Sequence, residues 1–304
     1  MVAHMKHRAS TVRLSASDRA FYVTITVFLL FCFAVVAYPL INVVSRSLSS
    51  PQAVAYGQVW FLPREFTLFA YERIIADGMI IQGFLNSIFY AGFGTLLNVT
   101  LTIMAAYPLA RRTFYGRNAI MFFFAFTMLF AGGMIPRYLV VRSLGLVNTR
   151  WAMILPEAII VWFTIIARTF FQSTIPEEMY EAAEIDGASD VRIIWMVVVP
   201  LSVPIIAVLS LFYAVSHWNR YFDALIFLRS QSLWNLQLVL RNIIMSANRL
   251  LDQEQDIGAA MATQERVEVI KYAVIVFAAM PVMILYPFVQ RYFIKGIMIG
   301  SIKG

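Results

Sequence analysis

Residues 181–200 read EAAEIDGASDVRIIWMVVVP, an acidic stretch that closes on Gly187 and runs directly into an apolar segment. Residues 151–171, upstream of it, are apolar too, so the acidic piece links two hydrophobic stretches and looks built to be gripped. Pro176 suits the first turn of a helix, where its missing N–H has no intrahelical partner, and Glu177 and Glu178 complement the positive helix end. Gly187 can take the left-handed conformation that closes a helix, which predicts about three turns over residues 176–186. Met179, Ala182 and Ala183 fall on one face at i, i+3 and i+4, and the two alanines keep that face thin. Six carboxylates and no lysine or arginine lie between Glu177 and Asp190. An ordinary solvated loop helix would account for that charge alone.

Working outward, 61% of the 304 residues are hydrophobic and 13% charged, against about 25% charged in soluble domains. Mean hydropathy is +0.74. So much apolar surface cannot hide in one soluble core, and the chain reads as a polytopic membrane protein. A span needs about 20 mostly apolar residues. Six segments qualify: 21–43, 84–110, 119–135, 151–171, 194–216 and 271–292. The third ends on Gly132, Gly133 and Pro136, so its outer end is expected to bend. Helices are the default because lipid cannot satisfy an open backbone, and no ten-residue alternation of a membrane barrel is present. The expected fold is all-α: a six-helix transmembrane domain at 20–292 between cytoplasmic tails at 1–19 and 293–304. The basic start, with Lys6, Arg8, Arg13 and Arg19, precedes a span too long for a signal peptide and without a small-residue cleavage site, which favours an uncleaved anchor.

Charge bias orients the spans only weakly. Arg111, Arg112 and Arg117, with Arg291, Lys295 and Lys303, lie on the expected inside; Arg137, Arg142 and Arg150 lie on the expected outside, against the positive-inside rule. Residues 45–83 and 217–268 share the outer face. The aromatics Trp60, Phe61, Phe66 and Phe69 read as an interfacial belt.

Catalytic and metal signatures are absent. His4, His7 and His217 make no zinc set, neither HExxH nor GxSxG occurs, and no catalytic residue or metal site is expected. Cys32 sits in the first span as a small packing residue. Asn98-Val99-Thr100 fits a glycosylation sequon but lies inside a span, where it has no meaning. No GxxxxGK[ST] loop is present, so energy for uphill transport must come from an ion gradient or another subunit. An ion-coupled secondary carrier would show intramembrane acids or broken helices in two related halves. No internal repeat is visible, and Glu157 is the one acid well inside a predicted span.

The spacing of the opening stretch separates these alternatives. Glu181-Ala182-Ala183, three residues, Gly187, nine residues, then Val197-Val198-Val199-Pro200 resembles the cytoplasmic EAA loop, here 176–200, of binding-protein-dependent ABC importer permeases. PEEMYEAAEIDGAS at 176–189, HWNRYFDALIFL at 217–228 and the terminal GSIKG at 300–304 resemble the carbohydrate-importing branch, and the likeness covers most of the chain. The resemblance implies a type I ABC importer permease fold in a bacterial inner membrane, with both termini cytoplasmic. It implies a second permease subunit, an ATPase dimer carrying ATP and Mg, an extracytoplasmic solute-binding protein and an oligosaccharide substrate. No cofactor on this chain and no nucleic-acid partner are expected.

By the same resemblance, Glu181, Ala182, Ala183, Asp186, Gly187 and Pro200 form the ATPase-coupling element, with Glu181 in polar contact, the alanines allowing close seating and Gly187 making the sharp exit. Ser301 and Lys303 reach into the ATPase interface. Sugars are held by aromatic faces and polar groups, so Glu157, Trp162, Tyr213, Trp218, Asn219 and Asp223 are candidates for the translocation path, each also explicable as packing. Arg168 is expected to snorkel to the inner surface. Arg137, Arg142, Arg150, Arg220 and Arg229, taken as outward-facing, favour an anionic solute or an acidic binding protein. The GGMIPRYLVVRSLGLVNT run at 132–149 resembles the polysaccharide-oligomer subgroup, and a uronate oligomer such as an alginate fragment is the expected cargo.

Overall fold

The computed structural model describes residues 15–253 and 257–301, and every regular element among them is helical. Helix α1 (Ala16–Ser47) leads to the short α2 (Pro51–Ala55) and α3 (Phe69–Ala76), then to the long α4 (Gly78–Ala110). Next come α5 (Arg117–Leu129), α6 (Met134–Ser143), two 3-10 turns (Arg150–Met153 and Leu155–Glu157) and α7 (Val161–Thr174). The acidic helix is α8 (Glu177–Ile185). It is followed by α9 (Asp190–Ile193), a π-helical turn (Ile194–Val198), α10 (Val199–Leu201), α11 (Val203–Trp218), α12 (Tyr221–Phe227), α13 (Leu236–Gln253) and α14 (Ile257–Ser301).

Three helices are single apolar spans: α1, α4 and the Gln264–Pro287 part of α14. The other three expected spans are bent pairs. The bend foreseen in the third is there, 116° between α5 and α6, at a break that includes Gly133 with φ +82°. The fourth and fifth, expected as continuous helices, are also broken, by 52° ahead of α7 and by 89° between α10 and α11. Prolines stand near both breaks: Pro156 lies in the 3-10 turn before the first, and Pro200 and Pro204 flank Ser202 at the second, where Pro204 has no N–H to continue the ladder from α10 into α11. The sixth helix starts before residue 271, and its backbone continues beyond 292 to Ser301. Residues 217–268, read as a loop, largely fold into α12, α13 and the start of α14.

Helix α4 is the axis of the bundle. Its buried face, Gly83, Ser87, Tyr90, Gly94, Asn98, Thr102 and Ala106, repeats at helical spacing and is mostly small or polar, which lets neighbouring helices approach closely where the hydrophobic effect gives no drive between them. A Cβ on Gly94 would lie 2.6 Å from Nε2 of His217, so only hydrogen fits there. The Asn98 side-chain amide Nδ2 donates to that nitrogen at 3.1 Å and to the Glu157 carbonyl at 3.1 Å. The sequon asparagine is therefore a buried packing element. Helix α1 is apolar and exposed on nearly all sides through residue 41, Cys32 included, so that cysteine faces away from the bundle instead of packing within it.

Candidate coupling face and charge cluster

Helix α8 is built by its sequence at both ends. Pro176 sits at the N-cap, one residue outside the helix, and Glu177 and Glu178 occupy the first turn. At the other end Asp186 is the C-cap and Gly187 has φ +73°. Ala188 N donates to Ala183 O at 2.9 Å and Gly187 N to Glu184 O at 3.0 Å, the paired bonds of a Schellman closure. A Cβ at Gly187 would meet nothing within 4 Å, so the demand for glycine there is purely one of backbone conformation.

The helix is fastened to the end of α4. Arg111, at the C-cap of α4 and buried, places Nη2 2.6 Å from Glu184 Oε1 and Nε 3.6 Å from Glu177 Oε1. Its guanidinium lies 4.2 Å over the Tyr180 ring, a cation–π contact strengthened by desolvation. Tyr107 donates to Asp190 Oδ1 at 2.8 Å, bringing the start of α9 to the same place. The last carbonyls of α4 are themselves held: Arg168 Nε donates to Leu109 O at 2.9 Å and Gln172 Nε2 to Ala110 O at 3.4 Å. Arg168 thus caps a helix end. The Tyr180 hydroxyl has no partner, and burial pushes its phenol pKa up to about 12 against the opposing pull of Arg111.

Glu181, Ala182, Ile185 and Asp186 form the outward face of α8, and Ile185 is 86% exposed. Ala183 is half-buried against the chain's own core, together with Tyr180 and Ala188. The thin face expected from Met179, Ala182 and Ala183 is therefore split, because Tyr180 and Ala183, three residues apart, make the inner stripe. Val191, Trp195 and Met196 are exposed beyond the turn, and exposed Pro200 lies just before the 89° bend.

A second cluster gathers where the three bent spans meet. Arg137 on α6 places Nη1 3.1 Å from Glu157 Oε1 and Nη2 2.9 Å from Asp223 Oδ2. Arg220 places Nη2 2.7 Å from Glu157 Oε2 and Nε 3.6 Å from Asp223 Oδ2, and also donates to the Met153 carbonyl at 3.2 Å. Two cations and two anions thus close a ring of zero net charge. Arg220 and Asp223 are buried, while Arg137 and Glu157 are each about one-third exposed. A cavity of roughly 770 Å³, walled by Met134, Val140, Leu155 and Phe227, opens beside Arg137 and Asp223.

Of the six path candidates, this ring unites Glu157 and Asp223. Tyr213 and Trp218 are buried packing groups: the Tyr213 hydroxyl bonds Thr102 at 2.7 Å and Ile160 N at 3.2 Å, and Trp218 Nε1 donates to Ala278 O at 2.9 Å. Trp162 is exposed and apart from the ring. Asn219 lines a different cavity of roughly 640 Å³ with Tyr221 and Arg241. Arg220 is not the free outward cation expected. It lies buried in the ring, and Arg137 is already paired; Arg142, Arg150 and Arg229 remain exposed. Sequence reasoning missed the Arg111 clamp, although a buried-side arginine at the end of an apolar span facing an acid-rich loop was its signal. The α14 backbone reaches Ser301, but the Ser301 side chain and Lys303 lie outside the described residues. No group of three or more His, Cys, Asp or Glu among the described residues could hold a metal ion.

No family model matches the chain. It is 40% identical over 287 residues, 94% of this chain and 99% of the relative, to the polygalacturonan/rhamnogalacturonan transport system permease protein YtcP of Bacillus subtilis (strain 168). It is 38% identical over 294 residues to protein LplC of the same organism, covering 97% of this chain and 98% of that one. Among solved structures, it matches a chain from a bacterial ABC transporter involved in the import of the acidic polysaccharide alginate. That match has TM-score 0.83 and 36% identity and covers 93% of this chain and 100% of the other.

Proposed function

This chain belongs to the carbohydrate ABC transporter permeases, and on that premise we propose that it carries an acidic oligosaccharide, a uronate oligomer, inward across a bacterial inner membrane. Membership sets aside the ion-coupled carrier. The substrate class is supported by two similar proteins: one is named for polygalacturonan, a polymer of uronic acid, and the other belongs to an importer of alginate. Its partners in this reading are a second permease subunit, an ATPase dimer that binds ATP and Mg, and an extracytoplasmic solute-binding protein. The chain itself holds no cofactor, and both termini are cytoplasmic.

The clamp of α8 onto α4 is the observation that carries the mechanism. Glu181, Ala182 and Asp186 offer an exposed, acidic and partly thin surface to the ATPase. Ala183 backs that surface from within, and Gly187 turns the chain sharply away. When the ATPases close on α8, Arg111 passes the displacement to α4, and α9 with its π turn passes it through Pro200 to α11. The two routes rejoin because α4 and α11 pack along one another. Ser301 and Lys303 would add an ATPase contact at the C-terminus, which truncation after Met298 tests by lowering coupled ATP turnover. On the opposite side, Glu157 and Asp223 shape the path through the arginines they hold; Trp162 and Asn219 border it.

Reconstituting the complete transporter in proteoliposomes tests the substrate reading. Oligouronate uptake should depend on ATP and on the binding protein. Uptake of a neutral maltooligosaccharide, with no binding of uronates by the partner binding protein, would overturn it.

A further inference from the structure

Beside the coupling helix lies a polar recess that the coupling scheme does not use. Its cavity is roughly 400 Å³, with Arg112 and Arg117 at one side, Gln172 and Glu177 at the other, and Phe171 and Tyr180 among its walls. Glu177 is already beside Arg111, whereas neither Arg112 nor Arg117 has a carboxylate partner among the described residues. Arg112 is exposed, and Arg117 spends one N–H on the Arg111 carbonyl at 3.0 Å. Tyr180 is only 2% exposed, lines the recess and leaves its hydroxyl without a partner. A buried phenol O–H is costly to leave unbonded.

Phe114 and Tyr115 lie between the two arginines in sequence, and Tyr115 is 99% exposed. An exposed aromatic pair flanked by arginines at the end of an apolar span is the composition of the headgroup layer. A basic recess between spanning helices at that depth suits an anionic phosphate.

We propose that this recess binds the phosphate of an anionic phospholipid headgroup, held by the guanidinium groups of Arg112 and Arg117 and by the Tyr180 hydroxyl. The acyl chains then run along the apolar surface of the bundle, and the headgroup rests against the first turn of α8. Bound lipid thereby braces the coupling helix from the side opposite its outward face. The site follows from these residues and not from the transported sugar, so it stands or falls separately from the substrate reading.

The test is native mass spectrometry of the intact transporter extracted from vesicles of phosphatidylglycerol mixed with phosphatidylcholine, comparing wild type with Arg112→Gln and Tyr180→Phe. Tyr180→Phe keeps the ring under Arg111 and removes only the hydroxyl, so it serves if the arginine variant fails to assemble. Preferential retention of phosphatidylglycerol, reduced about fivefold by Arg112→Gln and also reduced by Tyr180→Phe, is the expected result. Equal retention by wild type and both variants would overturn the proposal. Displacement of the lipid from wild type by inorganic phosphate alone would overturn the assignment to lipid and identify a free-phosphate site.

Discussion

Arg111 and Glu184 stand 2.6 Å apart, an ion pair that joins the last turn of the central span to the last turn of the acidic helix. Glu184 is half-exposed, so the pair alone is worth little, but Arg111 is buried and also covers Tyr180. Arg111→Ala should therefore cost about 1–3 kcal/mol of stability and suppress ATP turnover stimulated by the loaded binding protein. Arg111→Lys, which keeps the charge and loses the fork, should fall between. Thermal unfolding and ATPase assays on the same preparations check both.

Gly187→Val places a β-branched residue at φ +73°, a cost of about 1–2 kcal/mol or more with no steric clash to add to it. Stimulated ATP hydrolysis should drop, while Gly187→Asn, more at ease in the left-handed region, should retain more of it. Normal coupling and assembly in the valine variant would show that the turn is not part of the lever.

Gly94 and Gly92 make a matched pair two residues apart on α4. Gly94→Ala drives a methyl group into the His217 ring and should destabilise by about 1–3 kcal/mol, whereas a Cβ at Gly92 meets nothing within 4 Å. Gly92→Ala should be neutral or slightly stabilising. Unfolding temperatures in detergent separate them.

In the charge ring, exposure ranks the two acids. Asp223→Asn removes the buried acid that holds Arg137 at 2.9 Å and leaves buried Arg220 only the part-exposed Glu157, and should cost about 3 kcal/mol. Glu157→Gln takes from buried Arg220 its partner at 2.7 Å, but at 38% side-chain exposure water reaches the site, and it should cost less, about 1–2 kcal/mol. Reversal of that order in unfolding measurements would mean that water reaches the Asp223 side of the ring.

Much of this fold was legible because lipid imposes length and polarity rules that individual residues obey. The six apolar segments, the bend after Phe130 and the glycine closure of α8 all follow from local composition. The breaks near Pro156 and Ser202 were harder to see, since a hydropathy average runs smoothly across a proline. On α8, the left-handed turn at Gly187 was readable from local sequence, but the inward turn of Ala183 depended on Tyr180 packing against α4. Apart from the i,i+3 pair of Arg220 with Asp223, the links of Arg137 and Arg220 to Glu157 and Asp223 join residues up to 86 positions apart, and no local pattern encodes them. Loop arginines therefore read as free charge when the structure neutralises them.

The π turn at Ile194–Val198 has a consequence for how this chain tolerates length changes. Such a turn holds one residue more than the helix around it needs, and it lies within the run that separates Gly187 from Pro200. Removing a single residue elsewhere in a spanning helix swings everything downstream by about 100°. Removing one here would instead restore regular α-helical hydrogen bonding and leave both flanking faces in phase. Among the described residues, this is where an ancestral insertion could have been absorbed without being refolded away.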